Sequence, residues 1–193
     1  MTPLGERGRG HRWGTTVAWY VVGSTFGGAA VGTALGVLGR LLTSVASSSL
    51  AAPIALAAGL AAGAALDVGP GRSRLPTPRR QVNEEWLSRY RGWVYGLGFG
   101  VQLGAGFLTV VSTSAVYGAF LAALLGGSIA GGLAVGTAFG LARGLSILSV
   151  ARVRTREQLL AVDARLGQWN RPARTATVAA QALVAVALLA AVR

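Results

Sequence analysis

Long apolar runs alternate along this chain with short segments rich in arginine. An α-helix needs roughly 20 apolar residues to cross the hydrocarbon core of a bilayer. Runs near or above that length cover residues 15–42, 50–66, 92–121, 128–150 and 173–192. The pattern therefore predicts an all-α fold, a polytopic transmembrane helical bundle.

Arginines concentrate before the first run, between the second and third runs, and between the fourth and fifth. Because cytoplasmic loops are enriched in basic residues, we predict a multi-pass protein of the cell (inner) membrane with a cytoplasmic N-terminus. The predicted organisation is a cytoplasmic N-terminal arm at 1–12, a first transmembrane hairpin at 13–66, a cytoplasmic linker at 67–85, a second hairpin at 86–150, a cytoplasmic amphipathic segment at 151–172, and a C-terminal span at 173–193.

The two predicted hairpins align without gaps when one is displaced along the other. Trp13 falls on Trp86 and Phe26 on Phe99, both at an offset of 73 residues (86 − 13 and 99 − 26). The unbroken register predicts an internal duplication. Two spans per unit would make the halves parallel, related by an axis along the membrane normal.

Glycines recur every fourth residue inside three of the apolar runs. On a helix this spacing places them on one stripe, and a stripe without side chains lets two membrane helices approach closely. We therefore predict helix packing through three glycine rows. The rows are Gly28, Gly32 and Gly36; Gly92, Gly96, Gly100 and Gly104; and Gly132, Gly136, Gly140 and Gly144.

Composition narrows the functional classes. The chain is 52% hydrophobic and only 12% charged, whereas a soluble domain has about 25% charged residues. Its formal net charge is +12, but the arginines are separated by apolar runs, so no nucleic-acid partner is predicted. The predicted environment is the lipid bilayer. The absence of cysteine excludes disulfides, thiol redox chemistry and thiolate metal sites.

Polar residues inside the apolar runs are the candidates for function. No Asp or Glu lies within a predicted span and the only histidine, His11, lies outside them, so no catalytic residue, metal site or cofactor is predicted. Tyr95, Gln102 and Thr109 are spaced by seven and would share one helix face, which could line a solute path. Gln102 could instead form one interhelical hydrogen bond. Arg143 could bind a solute, or extend its side chain to the membrane interface.

The amphipathic segment carries Leu159, Leu166 and Trp169 among charged residues. A helix of this kind suits the cytoplasmic surface of a membrane. A soluble connecting helix is the alternative.

Two short sequences resemble a known group of membrane proteins. Ala-Phe-Gly-Leu-Ala-Arg-Gly at Ala138 to Gly144 and Gly-Leu-Gly-Phe-Gly at Gly96 to Gly100 are similar to small duplicated permeases and thiol-redox proteins of the LysE and CcdA type. The resemblance implies a permease. It does not imply redox activity, which needs paired cysteines, and those families use inverted three-span halves.

Two functions follow as hypotheses. The first is a small permease or channel for a neutral or anionic solute, with its path between the two halves. The second is a non-catalytic subunit or assembly factor that packs against other membrane helices, or against a second copy of the chain, through its glycine faces.

Overall fold

The computed structural model describes residues 1–45, 50–69, 89–106, 111 and 113–192. No β-strand occurs among these residues. The helices are α1 (Pro3–Gly8), α2 (Trp13–Val45), α3 (Ala51–Val68), α4 (Gly92–Gly104), α5 (Ala115–Leu125), α6 (Ile129–Leu145) and α7 (Arg156–Ala191), with a 3-10 helix at Ser146–Val150. The protein is all-helical over the described ranges, as predicted.

In the described part of the chain, four helices are long and apolar enough to cross a membrane: α2, α3, α6 with its 3-10 extension, and α7. Large apolar side chains cover their outer surfaces, including Phe26, Leu41 and Leu183. Such a surface is unfavourable in water and matches the hydrocarbon of a bilayer. The helices therefore suit a membrane-embedded protein.

Helix α2 lies between α4 and α6 and contacts both through glycine. It runs antiparallel to α6, so that Gly28 faces Gly136 and Gly140 while Gly36 faces Gly132. The backbones are so close that a Cβ atom on Gly32 would lie 2.7 Å from the Cα atom of Gly136. Real Cβ atoms essentially never come that close to another heavy atom, so only glycine fits this contact.

Helix α4 runs parallel to α2 on another side, with its whole glycine row buried. A Cβ atom on Gly96 would lie 2.6 Å from the carbonyl oxygen of Thr16, and one on Gly100 would lie 2.8 Å from the backbone nitrogen of Ser24. The Ser24 hydroxyl donates a 2.7 Å hydrogen bond to the carbonyl of Gly140 on α6. Ser24 therefore lies where α2, α4 and α6 meet.

Helix α3 packs against α5 and α7 and runs antiparallel to both. A small apolar cluster of Ala57, Leu60 and Ala185 joins α3 to α7, with Leu56 and Leu188 beside it. Gly118 on α5 faces the side chain of Leu60. These contacts form a second group of helices beside the glycine-packed one, and α5 touches both groups.

The third apolar run differs from the prediction of one continuous helix over 92–121. Helix α4 ends at Gly104 and α5 begins at Ala115. Gly106 has a φ of +76°, a left-handed conformation that ends a helix, and its N–H donates to the carbonyl of Leu103 at 3.1 Å. At a rise of about 1.5 Å per residue, neither helix alone crosses a hydrocarbon core about 30 Å thick.

The amphipathic segment and the C-terminal span are one helix in the structure. Helix α7 continues from Arg156 to Ala191 through Pro172. A proline inside a helix removes one backbone hydrogen bond. Many of the surrounding residues are Ala, Leu, Arg or Gln, which favour the helix and offset that loss. The predicted turn at Gly126 and Gly127 lies between α5 and α6, whereas the internal duplication stays a prediction.

Candidate functional site

The residues predicted to line a solute path have different surroundings. Tyr95 is fully buried and Gln102 is half-buried, and both lie on α4. Arg143 is half-buried on α6, with its guanidinium carbon 5.5 Å from the centre of the Phe139 ring. Thr109 lies outside the described residues. The predicted shared face of Tyr95, Gln102 and Thr109 is therefore described only at its first two positions.

The buried carboxylate of Glu6 accepts a hydrogen bond from the hydroxyl of Tyr95. Glu6 is 0% exposed and accepts hydrogen bonds from Tyr95, from the Thr16 hydroxyl at 3.0 Å and from the Arg9 guanidinium at 2.7 Å. We call Glu6, Arg9, Thr16 and Tyr95 the Glu6 cluster. It joins α1 to α2 and α4, so the first residues of the chain form part of the packed structure.

Local sequence places Glu6 in this position. The Thr2 hydroxyl accepts a hydrogen bond from the N–H of Gly5 at 3.1 Å, and Pro3 begins α1. Glycine at position 92 leaves room for the cluster, because a Cβ atom there would lie 2.7 Å from the Thr16 hydroxyl. The His11 ring lies beside Tyr95, with 6.0 Å between ring centres.

Hydrogen bonds stabilise the charged form of the Glu6 side chain. Burial on its own raises the pKa of this carboxyl, but hydrogen bonds from Tyr95, Arg9 and Thr16 outweigh it, and the pKa of Glu6 is lowered. The hydrogen bond with Glu6 raises the pKa of Arg9. The cluster therefore contains an ion pair whose carboxylate is closed to water at neutral pH.

A second buried carboxylate, Asp67, lies near the end of α3. It accepts hydrogen bonds from the Thr113 hydroxyl at 2.7 Å, the Ser114 hydroxyl at 2.9 Å and the Ser114 N–H at 3.1 Å. The side-chain amide of Gln181 on α7 donates to the Ser114 hydroxyl at 3.2 Å. We call Asp67, Thr113, Ser114 and Gln181 the Asp67 junction, because it ties α3, α5 and α7 together.

The Asp67 junction lies at the start of α5, where the helix resumes in the third apolar run. Ser114 directly precedes α5, so Asp67 supplies a carboxylate to the N-terminus of that helix from a different helix. A negative charge is favourable there because the first N–H groups are unpaired and the helix dipole is positive at that end. Asp67 therefore acts as a helix cap in trans.

The other end of the break packs against two aromatic rings. A Cβ atom on Gly106 would lie 2.7 Å from the Phe120 ring and 3.0 Å from the Phe139 ring. Phe139 also lies beneath Arg143. Gln102 is one turn before the break, and its side chain makes no hydrogen bond with any residue that the structure describes. The interhelical hydrogen bond considered for Gln102 is therefore not seen there.

Sequence reasoning did not select Glu6 or Asp67 as site residues. Both lie at helix ends, outside the apolar runs where a buried charge would attract attention. One signal for Glu6 was available: a threonine cap and a proline that predict a short helix. The hydrogen-bond partners of Asp67, Thr113 and Ser114, are 46 and 47 residues away, so spacing gives no sign of them.

No protein-family model matches this chain, and neither a curated protein nor a solved structure matches it. Among the described residues, no three His, Cys, Asp or Glu side chains lie close enough to hold a metal ion. The features of this chain that bear on function are the break between α4 and α5 and the polar groups beside it.

Proposed function

We propose that this membrane-embedded protein is a small permease for a neutral or anionic solute, and that the break between α4 and α5 is part of the solute path. The observation that carries the proposal is that one apolar run contains two half-length helices, with Gln102 in the last turn of the first. Irregular backbone at membrane depth is tolerated where protein buries it or where it lines a cavity, and transporters bind solutes at such broken helices.

The polar groups near the break fit a neutral or anionic solute better than a cation. Asp67, at the start of α5, already accepts bonds from three donor groups, and Glu6, which lies near the start of α4 and away from the break, also has three donors. Their oxygens are therefore poor candidates for cation ligands. The amide of Gln102 can donate and accept, and Arg143 adds positive charge over the ring of Phe139.

Solute flux through reconstituted vesicles tests the proposal. Proteoliposomes would be challenged with glycerol and urea as neutral probes and with nitrate and acetate as anionic probes, and their volume change followed by light scattering. We expect faster entry than into protein-free vesicles for at least one probe. Gln102→Leu should slow that entry about tenfold, the effect of losing roughly 1.4 kcal/mol of interaction.

Gln168→Leu is the matched control, because Gln168 is exposed on α7 and distant in sequence from the break. It should leave flux unchanged, and Arg143→Ala should reduce flux where an anion is carried. Equal flux in the wild type and in Gln102→Leu would reject the assigned path. Wild-type vesicles that behave like empty ones for all four probes would favour the alternative function.

The alternative is a non-catalytic membrane subunit or assembly factor. Many glycines of the three predicted rows face other helices of the same chain, so a partner would bind elsewhere. Leu160, Leu166 and Trp169 of α7 are large, apolar and exposed. A partner retained in mild detergent by the wild type, and lost in Leu166→Ala/Trp169→Ala, would support this function.

A further inference from the structure

A groove lies between the end of α3 and the middle of α7. It has a volume of about 350 Å³ and is lined by Val68, Arg171, Arg174, Thr175 and Val178. Two of its five lining residues are arginines, one has a hydroxyl, and two are apolar. We call it the arginine groove.

The cationic groups of the groove converge from one helix face. Arg171 and Arg174 are three residues apart, and Thr175 is four residues after Arg171, so all three project from the same side of α7. Arg171 makes no ion pair with a described residue. Arg174 donates one hydrogen bond, at 2.9 Å, to the carbonyl of Val68. A guanidinium has five N–H donors, so most of those on Arg174 remain for a ligand.

Nearby negative charge does not cancel these two cations. The C-terminus of α3 carries a partial negative charge, which the hydrogen bond from Arg174 to Val68 partly satisfies. Asp67 directly precedes the lining residue Val68 in sequence. It is buried, however, and its oxygens accept hydrogen bonds at the N-terminus of α5. Among the described residues, the groove therefore retains net positive charge.

The groove lies where α7 changes character. Residues 156–174 include four arginines and two acidic residues, whereas residues 175–192 include no charged residue. In a membrane-embedded helix such a change marks the headgroup region. Basic pockets between helices at that level bind lipid phosphates, and arginine matches phosphate geometry through paired N–H donors. Val68 and Val178 supply an apolar wall beside the charges.

We propose that the arginine groove binds a phosphate group, presented either by an anionic phospholipid headgroup or by a free phosphate anion. The hydrogen bond from Arg174 to Val68 would by itself explain only a helix cap. It does not account for Arg171, whose exposed guanidinium borders the same groove.

Native mass spectrometry of the full chain in mild detergent tests this site. The protein would be titrated with dioleoylphosphatidylglycerol and, separately, with dioleoylphosphatidylcholine. We expect the anionic lipid to bind more tightly, and Arg171→Gln/Arg174→Gln to weaken its binding about tenfold or more, since each arginine near a lipid surface contributes about 1 kcal/mol. Arg156→Gln/Arg165→Gln removes the same charge from exposed positions of α7 and should retain the binding.

Sodium phosphate, compared with sodium chloride at equal ionic strength, distinguishes the two sources of phosphate. Displacement of the lipid by millimolar phosphate would assign the site to a free anion as well, and no displacement would assign it to lipid. Equal loss in both double variants, or equal binding of the two lipids, would overturn the proposal.

Arg171→Gln alone guards against a folding defect, because it keeps the hydrogen bond from Arg174 to Val68. This single variant should lose affinity severalfold with an unchanged melting temperature. The proposal would be rejected if Arg171→Gln kept the wild-type affinity and only a destabilised double variant lost it. Arg174 would then serve only to cap the end of α3.

Discussion

The carboxylate of Glu6 accepts a hydrogen bond from the hydroxyl of Tyr95, 89 residues later in the chain. Both side chains are 0% exposed. This contact fixes the six-residue helix α1 against α4, and Arg9, the residue directly after α1, balances the charge of Glu6. The N-terminal residues, which the sequence predicts to be a cytoplasmic arm, therefore contribute to the packed structure.

Tyr95→Phe should destabilise the protein by about 1 to 3 kcal/mol, because it leaves a buried carboxylate with one donor fewer. The measurement is thermal or denaturant unfolding of the purified chain in mild detergent. Tyr20→Phe is the matched control, since the Tyr20 hydroxyl makes no hydrogen bond with a described residue. A change in Tyr95→Phe no larger than in Tyr20→Phe would contradict the assigned contact.

The stability of the protein should fall in acid because of Glu6. Its pKa is lowered in the folded state, so the unfolded state binds a proton more readily. The stabilisation is complete above the ordinary glutamate pKa of about 4.3 and is lost as the pH falls through the lower folded value. Other charges near this carboxylate are Arg9 and the amino group of Met1.

Unfolding midpoints from pH 7 to pH 3 would check this dependence. Glu6→Gln should be less stable at pH 7, and its midpoint should fall less steeply between pH 5 and pH 3 than that of the wild type. Asp163→Asn, at an exposed position of α7, should keep the wild-type profile. Parallel acid profiles for wild type and Glu6→Gln would show that Glu6 is not the titrating group.

Two glycine substitutions should have opposite effects. Gly32→Ala places a methyl group against the backbone of Gly132 and Gly136 and should cost about 1 to 3 kcal/mol, the usual range for overpacking. Gly167→Ala meets nothing within 4 Å on an exposed part of α7 and should stabilise the helix by about 0.5 to 1 kcal/mol. The melting temperatures of the two variants provide the comparison. A Gly32→Ala variant as stable as the wild type would show that α2 and α6 can move apart to admit the methyl group.

Much of the helical architecture follows from the apolar runs, because their length and the bilayer thickness leave few other folds. The spacing of the glycines indicates a face but not its neighbour. Gly28 meets Gly136 and Gly140, whereas Gly100 meets the backbone of Tyr20 and Ser24. Nothing in a four-residue repeat distinguishes these two kinds of contact, so the central position of α2 could not be predicted.

The break in the third run was missed for a related reason. Gly106 lies in a stretch as apolar as a spanning helix, and composition alone does not indicate that its φ is positive. The partner that stabilises the other side of the break, Asp67, lies 47 residues before Ser114. Contacts between distant residues therefore determine the surroundings of both buried carboxylates and the position at which α5 begins.

The hydrogen bond between Asp67 and Ser114 should appear as an energetic coupling between the two residues. A double-mutant cycle separates this pairwise interaction from other effects of mutation. Asp67→Asn replaces one acceptor oxygen with a donor, and Ser114→Ala removes one hydroxyl while keeping the backbone N–H. Because both changes weaken or remove the same hydroxyl–carboxylate bond, the double variant should be less destabilised than the sum of the single ones. We expect a coupling of about 0.5 to 3 kcal/mol, measured from unfolding in mild detergent.

Asp67→Asn with Ser128→Ala is the control, since Ser128 caps α6, and those two changes should add. Additivity in the Asp67 and Ser114 pair as well would mean that the carboxylate does not hold the start of α5.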